Sequence, residues 1–384
     1  MISFVRSMLI IYLTLFFFAL YTLLIIYYWQ SWSSMPEYAA GKQDPLTKFS
    51  VIVPARNEEQ YINACMQSVC NQNYPANLRQ VIVVDDASTD RTWELISDFK
   101  AKGEIEGLRL EEKANSNFFA YKKRAIQAGI EFSANDVIVT TDADCLHSTD
   151  WLTTIASFYE EKKSALIAAP VVYQHDSSVL QRFQALDFLV LQGITAASAH
   201  KNIHSMCNGA NLIYEKKAFG EVNGFDTVDH IASGDDMLLM HKISKRFPGR
   251  VHYLKSKQAV VLTQPMKTWS DFWNQRIRWS SKARFYDDKR ISVVLLLVYF
   301  FNLSFVALLI AGIWNLKCWV FLLILLFAKT LVEVPFVYSV ARYFGQQSLV
   351  KYFLVFQPLH IAYTLAAGCL GQFRKYEWKG RTVQ

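Results

Sequence analysis

The chain has 384 residues, 52% of them hydrophobic and 19% charged, with a formal net charge of +7. That length exceeds one ordinary domain, and the apolar residues are segregated: no charge occurs from Ser7 to Pro36, and apolar runs return from Ile291 to Leu370. A wholly soluble enzyme is excluded, and the basic excess suits cytoplasmic loops and anionic lipid surfaces. No nucleic-acid motif accompanies it. Cys65, Cys70, Cys145, Cys207, Cys318 and Cys369 form no Cys-x-x-Cys pair, so they read as free thiols in a reducing compartment rather than a disulfide framework or zinc site.

Met8 to Tyr28 is apolar for the length of a bilayer, longer than a secretory signal core. Residues 1–30 therefore read as an uncleaved transmembrane anchor and 31–47 as a polar linker. Phe49–Val53 is a strand that Pro54 stops. Asn57 is placed to cap a helix whose Ile62, Cys65, Met66 and Val69 recur at helical spacing. "QVIVV" is a second apolar strand; "DDASTD" turns the chain into a helix from about Arg91. A weaker strand follows at Leu108–Leu110, then a helix in "YKKRAIQAGIEF" and a strand in "DVIVT". "VLQRFQALDFLVLQGITAAS" reads as helical, and "SGDDMLLMHKI" as an acidic turn entering a helix. "WSDFWNQRIRWSSKARFYDDKR" mixes aromatic and basic residues just before the lipid segments.

Strands without polar alternation are covered on both faces. Alternating with helices, they make an open, mostly parallel α/β sheet. Ligands of such sheets bind beyond the carboxyl ends of the strands, where the acidic groups fall: Asp85 and Asp86 after one strand, Asp142 and Asp144 after another. Asp-x-Asp in a turn can converge two hard carboxylates, a set suited to Mg²⁺ or Mn²⁺ held with substrate phosphates. Capping explains Ser88, Thr89 or Asp90. It leaves Asp85 and Asp86 unexplained, being too far upstream, and a carboxylate there can accept from a uracil N–H or bind ribose hydroxyls. In "SGDD" a cap accounts for one aspartate and not two; the second fits a general base toward an attacking hydroxyl. In "QRIRW", Arg278 can offset the charge of a departing diphosphate and Trp279 can stack on a sugar, against the plainer reading of a basic juxtamembrane segment. His200 and His204 lack the glutamate of a zinc-hydrolase helix. Lys329 and Glu333, at i and i+4 in an apolar run, read as a buried ion pair.

Together "VVDDASTD", "TDADC", "SGDD" and "QRIRW" resemble, in family order, the motifs of the membrane-integrated family 2 glycosyltransferases, the group of cellulose, chitin and hyaluronan synthases and ceramide glucosyltransferase. "VIVPARNEE" resembles the family's nucleotide-binding strand and loop, and "YKKRAIQAGI" its Gly-Lys segment, with Tyr121 in place of the usual glycine. "NGANLIYEKKAF" resembles its acceptor-side loop, and "WKGR" (378–381) a common ending. The resemblance covers residues 48–285 and the tail. It implies a GT-A-like nucleotide-sugar-binding sheet domain over residues 48–285, inserted between transmembrane helices, with an interfacial segment at 269–290. C-terminal membrane segments at 291–371 and a basic tail at 372–384 follow. It implies that Asp85 and Asp86 read the uridine moiety and that Lys122 lies near the nucleotide. Asp142 would touch ribose or metal, and Asp144 would ligate the metal, Mg²⁺ or Mn²⁺. Asp236 would be the base, with Asp235 in the place of the residue before it. Gln275, Arg278 and Trp279 would hold diphosphate and acceptor, and Asn208 and Gly209 would face the acceptor.

The implied reaction is an inverting transfer from a nucleotide diphosphate sugar to a membrane lipid or lipid-linked acceptor. A processive polysaccharide synthase is the alternative. A non-catalytic membrane scaffold is the rival from another class, but it would show eroded acidic motifs, and none is eroded. No protein partner is implied. A cytosolic catalytic domain at the cell membrane fits Lys42, Lys48, Arg284, Lys289 and Arg290 on its flanks. Three spans at Ser292–Trp314, Cys318–Val340 and Leu349–Leu370 would place the basic tail outside. The last, with Lys351, Pro358 and His360, is then the candidate for a re-entrant segment.

Overall fold

The computed structural model describes residues 2–41, 43–111, 121–176, 178–226, 234–282, 286, 288–371, 376–378 and 381–383. Lys42, Ser233, Arg284 and the Lys-Gly pair of "WKGR" lie outside them. Two compact units emerge, and they cut across chain order. One gathers residues 1–34, 176–197 and 266–374; the other holds 35–175, 198–265 and 375–384.

In chain order the elements begin with helix α1 (Ile2–Ser34), strand β1 (Phe49–Ala55), α2 (Ile62–Cys70), β2 (Arg79–Asp86), α3 (Thr92–Ala101), β3 (Glu106–Leu110) and α4 (Tyr121–Phe132). They continue with β4 (Val137–Thr140), β5 (Leu146–His147), α5 (Trp151–Lys162), β6 (Leu166–Ala168), β7 (Val171–Tyr173) and α6 (Val179–His200). Next come β8 (Leu212–Glu215), α7 (Lys216–Glu221), α8 (Met237–Arg246), β9 (Val251–Tyr253), β10 (Val261–Thr263) and α9 (Trp269–Ser280). Helices α10 (Lys289–Ala311), α11 (Leu316–Tyr343) and α12 (Phe353–Leu370) and strands β11 (Tyr376–Trp378) and β12 (Arg381–Val383) close the chain.

The first unit of the chemistry is a seven-stranded sheet in the order β3-β2-β1-β4-β8-β6-β9. Strands β1 to β4 run parallel, β8 runs antiparallel to both β4 and β6, and β6 and β9 are parallel. Val51–Val53, Ile82–Val84, Ile138 and Val139 are wholly enclosed, as continuous apolar strands require when both faces are covered. The order reverses between β1 and β4, and ligands of such sheets bind at the carboxyl ends of the strands flanking that point. A small sheet, β5-β10-β7, lies beside the Asp-x-Asp turn in sequence.

Two local expectations need correction. Pro54 does not stop β1, which runs to Ala55 against Asp85 of β2. The ladder to β4 ends at Ile52–Thr140, so beyond it β1 has an open edge where a missing N–H costs no strand bond. Asn57 does not cap α2, which starts at Ile62. Its backbone is left-handed, with φ of 50°, and its Oδ1 accepts from the Thr89 amide at 2.9 Å.

The described residues of the segment 35–47 are tied down at several points. Tyr38 N–H donates to Lys255 O at 2.7 Å, Lys255 Nζ donates to Met35 O at 2.9 Å, and Glu160 accepts from the Leu46 and Thr47 amides at 2.9 and 2.8 Å.

The other unit is helical. Ser7–Ser34, Lys289–Ala311, Leu316–Tyr343 and Gln347–Leu370 are four helical stretches long and apolar enough to cross a membrane. The i, i+4 pair expected in the apolar run is present: Lys329 Nζ stands 2.7 Å from Glu333 Oε1 and donates to Gln357 Oε1 at 2.6 Å. Tyr21 and Gln357 also donate to Glu333. All four side chains are buried, so α1, α11 and α12 share one polar network inside an apolar bundle.

Candidate active site

Two loops follow β1 and β2 at the carboxyl edge of the sheet. Asp90 Oδ1 accepts from the Thr92 amide, the first of α3, at 3.0 Å, while the N-cap position itself is Arg91, whose side chain makes no cap bond. The loop after β1 is sewn to the loop after β2. The Asn57 amide donates to Ser88 Oγ at 3.0 Å, that of Glu58 to Thr92 Oγ1 at 2.7 Å, and that of Glu59 to Asp90 Oδ2 at 3.2 Å. Arg91 N–H returns a bond to Glu59 Oε2 at 3.1 Å, and Arg56 Nη1 donates to Ala87 O at 2.9 Å.

Asp85 and Asp86 are the last residues of β2 rather than residues beyond it. Asp85, too far upstream to cap α3, serves the turn instead. Its carboxylate accepts from the Ser88 amide, three residues on, at 3.3 Å. Arg109 Nε stands 3.5 Å from it, on the β3 residue directly paired with it. Burial raises the Asp85 carboxyl above its ordinary value, against the lowering pull of Ser88 and Arg109. Asp86 is also buried.

The second station lies past β4. Asp142 follows Thr141, whose Oγ1 is 2.7 Å from His147 Nε2, while His147 Nδ1 is 2.9 Å from Ser68 Oγ. The Cys65 thiol donates to Asp142 O at 3.4 Å. Asp144 accepts from Thr263 Oγ1 of β10 at 3.2 Å. The turn is thus gripped from α2, β5 and β10. Burial pushes the His147 imidazole down to about 3, from an ordinary 6.5. The unfolded chain therefore binds a proton between those values that the folded chain does not, so stability is full above pH 6.5 and falls as pH drops. The slope approaches one proton, about 1.4 kcal/mol per pH unit. Denaturant unfolding at pH 7 and pH 5 is expected to show a smaller pH loss for His147→Gln than for the parent; equal losses would refute it.

Lys122, in the first turn of α4, joins the stations. Its Nζ is 2.6 Å from Asp142 Oδ1 and 3.4 Å from Asp235 Oδ2. Burial would lower this ammonium, but Asp142, Asp235 and Asp236 outweigh it and hold it well above its ordinary value. Asp235 and Asp236 enter α8 after Gly234, whose φ of 82° is left-handed and favours glycine. Asp236 is the N-cap: Oδ1 accepts from the Met237 amide at 2.7 Å and Oδ2 from the Gly209 amide at 3.2 Å. A Cβ at Gly209 would come within 3.1 Å of Asp235 Oδ2 and 3.5 Å of Lys122 Nζ, so the loop packs closely against both side chains. Asn208 Oδ1 accepts from the Ala210 amide at 3.0 Å.

Asn211 went unnoticed in the sequence. It is fully buried, donating to Pro170 O at 2.9 Å and Ala259 O at 2.7 Å and accepting from Trp151 Nε1 at 3.1 Å. Those bonds hold the 208–211 loop in place; the only available signal was a polar residue directly before an apolar strand.

The structure therefore gathers Lys122, Asp142, Asp235, Asp236, Asn208 and Gly209. Gln275, Arg278 and Trp279 stand on α9 of the helical unit. Gln275 is buried and Arg278 half-buried. Trp279 faces the Arg276 guanidinium at 4.4 Å and the Phe188 ring at 6.0 Å. Arg276 is itself 2.8 Å from Asp187 of α6. Among the described residues no cluster of three or more His, Cys, Asp and Glu is arranged to hold a metal.

Two family models match the chain: glycosyl transferase family 2 over residues 50–222 and glycosyl transferase family group 2 over residues 137–332. The chain is a family 2 glycosyltransferase. This glycosyltransferase is 25% identical over 280 residues to the probable glycosyltransferase YdaM of Bacillus subtilis, covering 70% of the chain and 64% of that protein. It is 24% identical over 233 residues to the poly-β-1,6-N-acetyl-D-glucosamine synthase of Staphylococcus epidermidis, covering 60% of the chain and 53% of that protein. The match thus spans only about half to two thirds of these relatives' lengths. The mannosyltransferase PcManGT of Pyrobaculum calidifontis, solved with GDP-Man and Mn²⁺, shares the fold with a TM-score of 0.56 at 17% identity, over 96% of this chain and 98% of that one. The glycosyltransferase thus has the mixed α/β architecture of the GT-A type together with four long apolar helices.

Proposed function

We propose that the protein transfers one sugar, with inversion, from a nucleotide diphosphate sugar to a lipid or lipid-linked acceptor at the membrane. The observation that supports this most is the meeting of Lys122, Asp142, Asp235 and the Asp236–Gly209 pair beyond β4. In this reading Asp85 and Asp86 serve the nucleoside, with Asp85 acting largely by shaping the loop. Asp236 lies against the acceptor-side loop and removes the proton of the attacking hydroxyl. The hydroxyl oxygen bonds to the anomeric carbon as the bond to the diphosphate breaks, so an α-linked donor gives a β-glycoside. Asp235 acts on the donor side through Lys122. The roles of Gln275, Arg278 and Trp279 on diphosphate and acceptor rest on the order of the motifs alone.

Asp142 and Asp144 fit a divalent cation, because Mg²⁺ and Mn²⁺ are held by one or two carboxylates together with substrate phosphates, and Asp142 already holds a cation in the Lys122 ammonium. The similarly folded mannosyltransferase contains Mn²⁺ and a nucleotide sugar. Such an ion, when bound, stabilises charge developing on the leaving diphosphate.

The match to a poly-N-acetylglucosamine synthase favours a second reading, a polymer product. Purified protein with Mn²⁺ and nucleotide sugars is expected to release nucleoside diphosphate. Mass spectrometry of membranes with and without the gene is expected to show one added hexose on a lipid; a long polymer would replace the first reading by the second, and no nucleotide release would defeat both.

A further inference from the structure

One ammonium serves two of the three acidic stations. Lys122 Nζ bridges Asp142 and Asp235 at 2.6 and 3.4 Å, and Asp236 lies within its electrostatic reach. Its side chain and that of Asp142 keep 25% and 33% of their surface open, so the pair faces an accessible space rather than a sealed core. Gly209 packs close beside it: an added Cβ would touch Nζ at 3.5 Å.

We propose that Lys122 is a resident counter-ion that holds the site's cation position while no donor is bound and gives it up to a divalent cation only when a diphosphate arrives. The proposal rests on the reading of the site as a nucleotide-sugar transferase. A bare divalent ion approaching Asp142 meets a carboxylate already paired with a cation, and two like charges at contact distance repel. A diphosphate changes this balance. It offers the ammonium phosphate oxygens in exchange for a carboxylate, and it completes the oxygen set that a small divalent ion needs. The exchange trades one ion pair for two, with no bond broken. The lysine stem suits it: it is flexible and ends in three rotatable donors. Cation and nucleotide then strengthen each other's binding by the same factor, and the donor-free enzyme does not accumulate metal in a site without substrate.

The test is Mn²⁺ binding by the full-length protein in detergent, read from the spin-resonance signal of the free aqueous ion, with and without UDP and, in parallel, GDP. The parent is expected to bind Mn²⁺ weakly alone and at least about tenfold more tightly with one of the nucleotides. Lys122→Gln is expected to bind Mn²⁺ alone about tenfold more tightly than the parent, with the nucleotide effect diminished; Lys122→Arg, which keeps the charge, is expected to resemble the parent. A glutamine variant with parental affinity for Mn²⁺ overturns the proposal. If that variant does not fold, the parent alone decides: equal Mn²⁺ affinity with and without either nucleotide also overturns it. Because sugar transfer is not the readout, this failure is distinct from a failure to release nucleotide from nucleotide sugars.

Discussion

Asp236→Asn is expected to lower kcat for sugar transfer by about 10²–10⁴-fold while leaving nucleotide binding and the fold in place. The separation follows from what Asp236 does in the structure. Both of its oxygens accept backbone amides, from Met237 and Gly209. An asparagine still caps a helix about as well as an aspartate and keeps an acceptor for one amide, so α8 and the 208–211 loop lose little. The proton-accepting charge is lost outright. Initial rates with saturating donor, beside calorimetric binding of nucleoside diphosphate, test this. Turnover that survives both Asp236→Asn and Asp144→Asn would refute the proposed chemistry. A larger loss from Asp235→Asn than from Asp236→Asn would instead move the base by one residue.

Lys329→Met is expected to destabilise the helical unit by about 3–5 kcal/mol, the usual cost of leaving one member of a buried ion pair without its partner. Glu333 would keep its bonds from Tyr21 and Gln357 but lose the ammonium at 2.7 Å that balances its charge. Lys329→Met combined with Glu333→Gln removes both charges and is expected to recover most of the loss. Unfolding in mixed detergent micelles measures both variants. A single-variant loss below about 1 kcal/mol is the range of an exposed pair and would contradict the burial.

The sheet was legible where its cause is local. Four consecutive apolar residues at Val81–Val84, and three at Val137–Val139, read as strands covered on both faces, and they are nearly or wholly buried. The antiparallel β8 was not legible, because "NLIYE" reads alike in either direction. Pro54 and Asn57 misled for one reason: their roles depend on neighbouring segments, the open edge of β1 and the Thr89 amide. At the site, the acidic stations stood out as carboxylates following strands. Their union through Lys122 did not, since no local pattern reports that an ammonium on α4 meets the entrance of α8. Likewise α6 read as a helix, while the meeting of Asp187 with Arg276 joins segments far apart in sequence.

The loops after β1 and β2 exchange bonds in both directions, Asn57 with Ser88 and Thr89, Glu58 with Thr92, and Glu59 with Asp90 and Arg91. Mutational freedom at residues 56–59 is therefore conditional on residues 87–92. A change that lengthens or reshapes one loop strands backbone amides on the other, so a tolerated change in one segment is expected to need a matching change in the other. Aligned relatives would show them covarying, and a loop grafted from one of them would have to arrive with its counterpart.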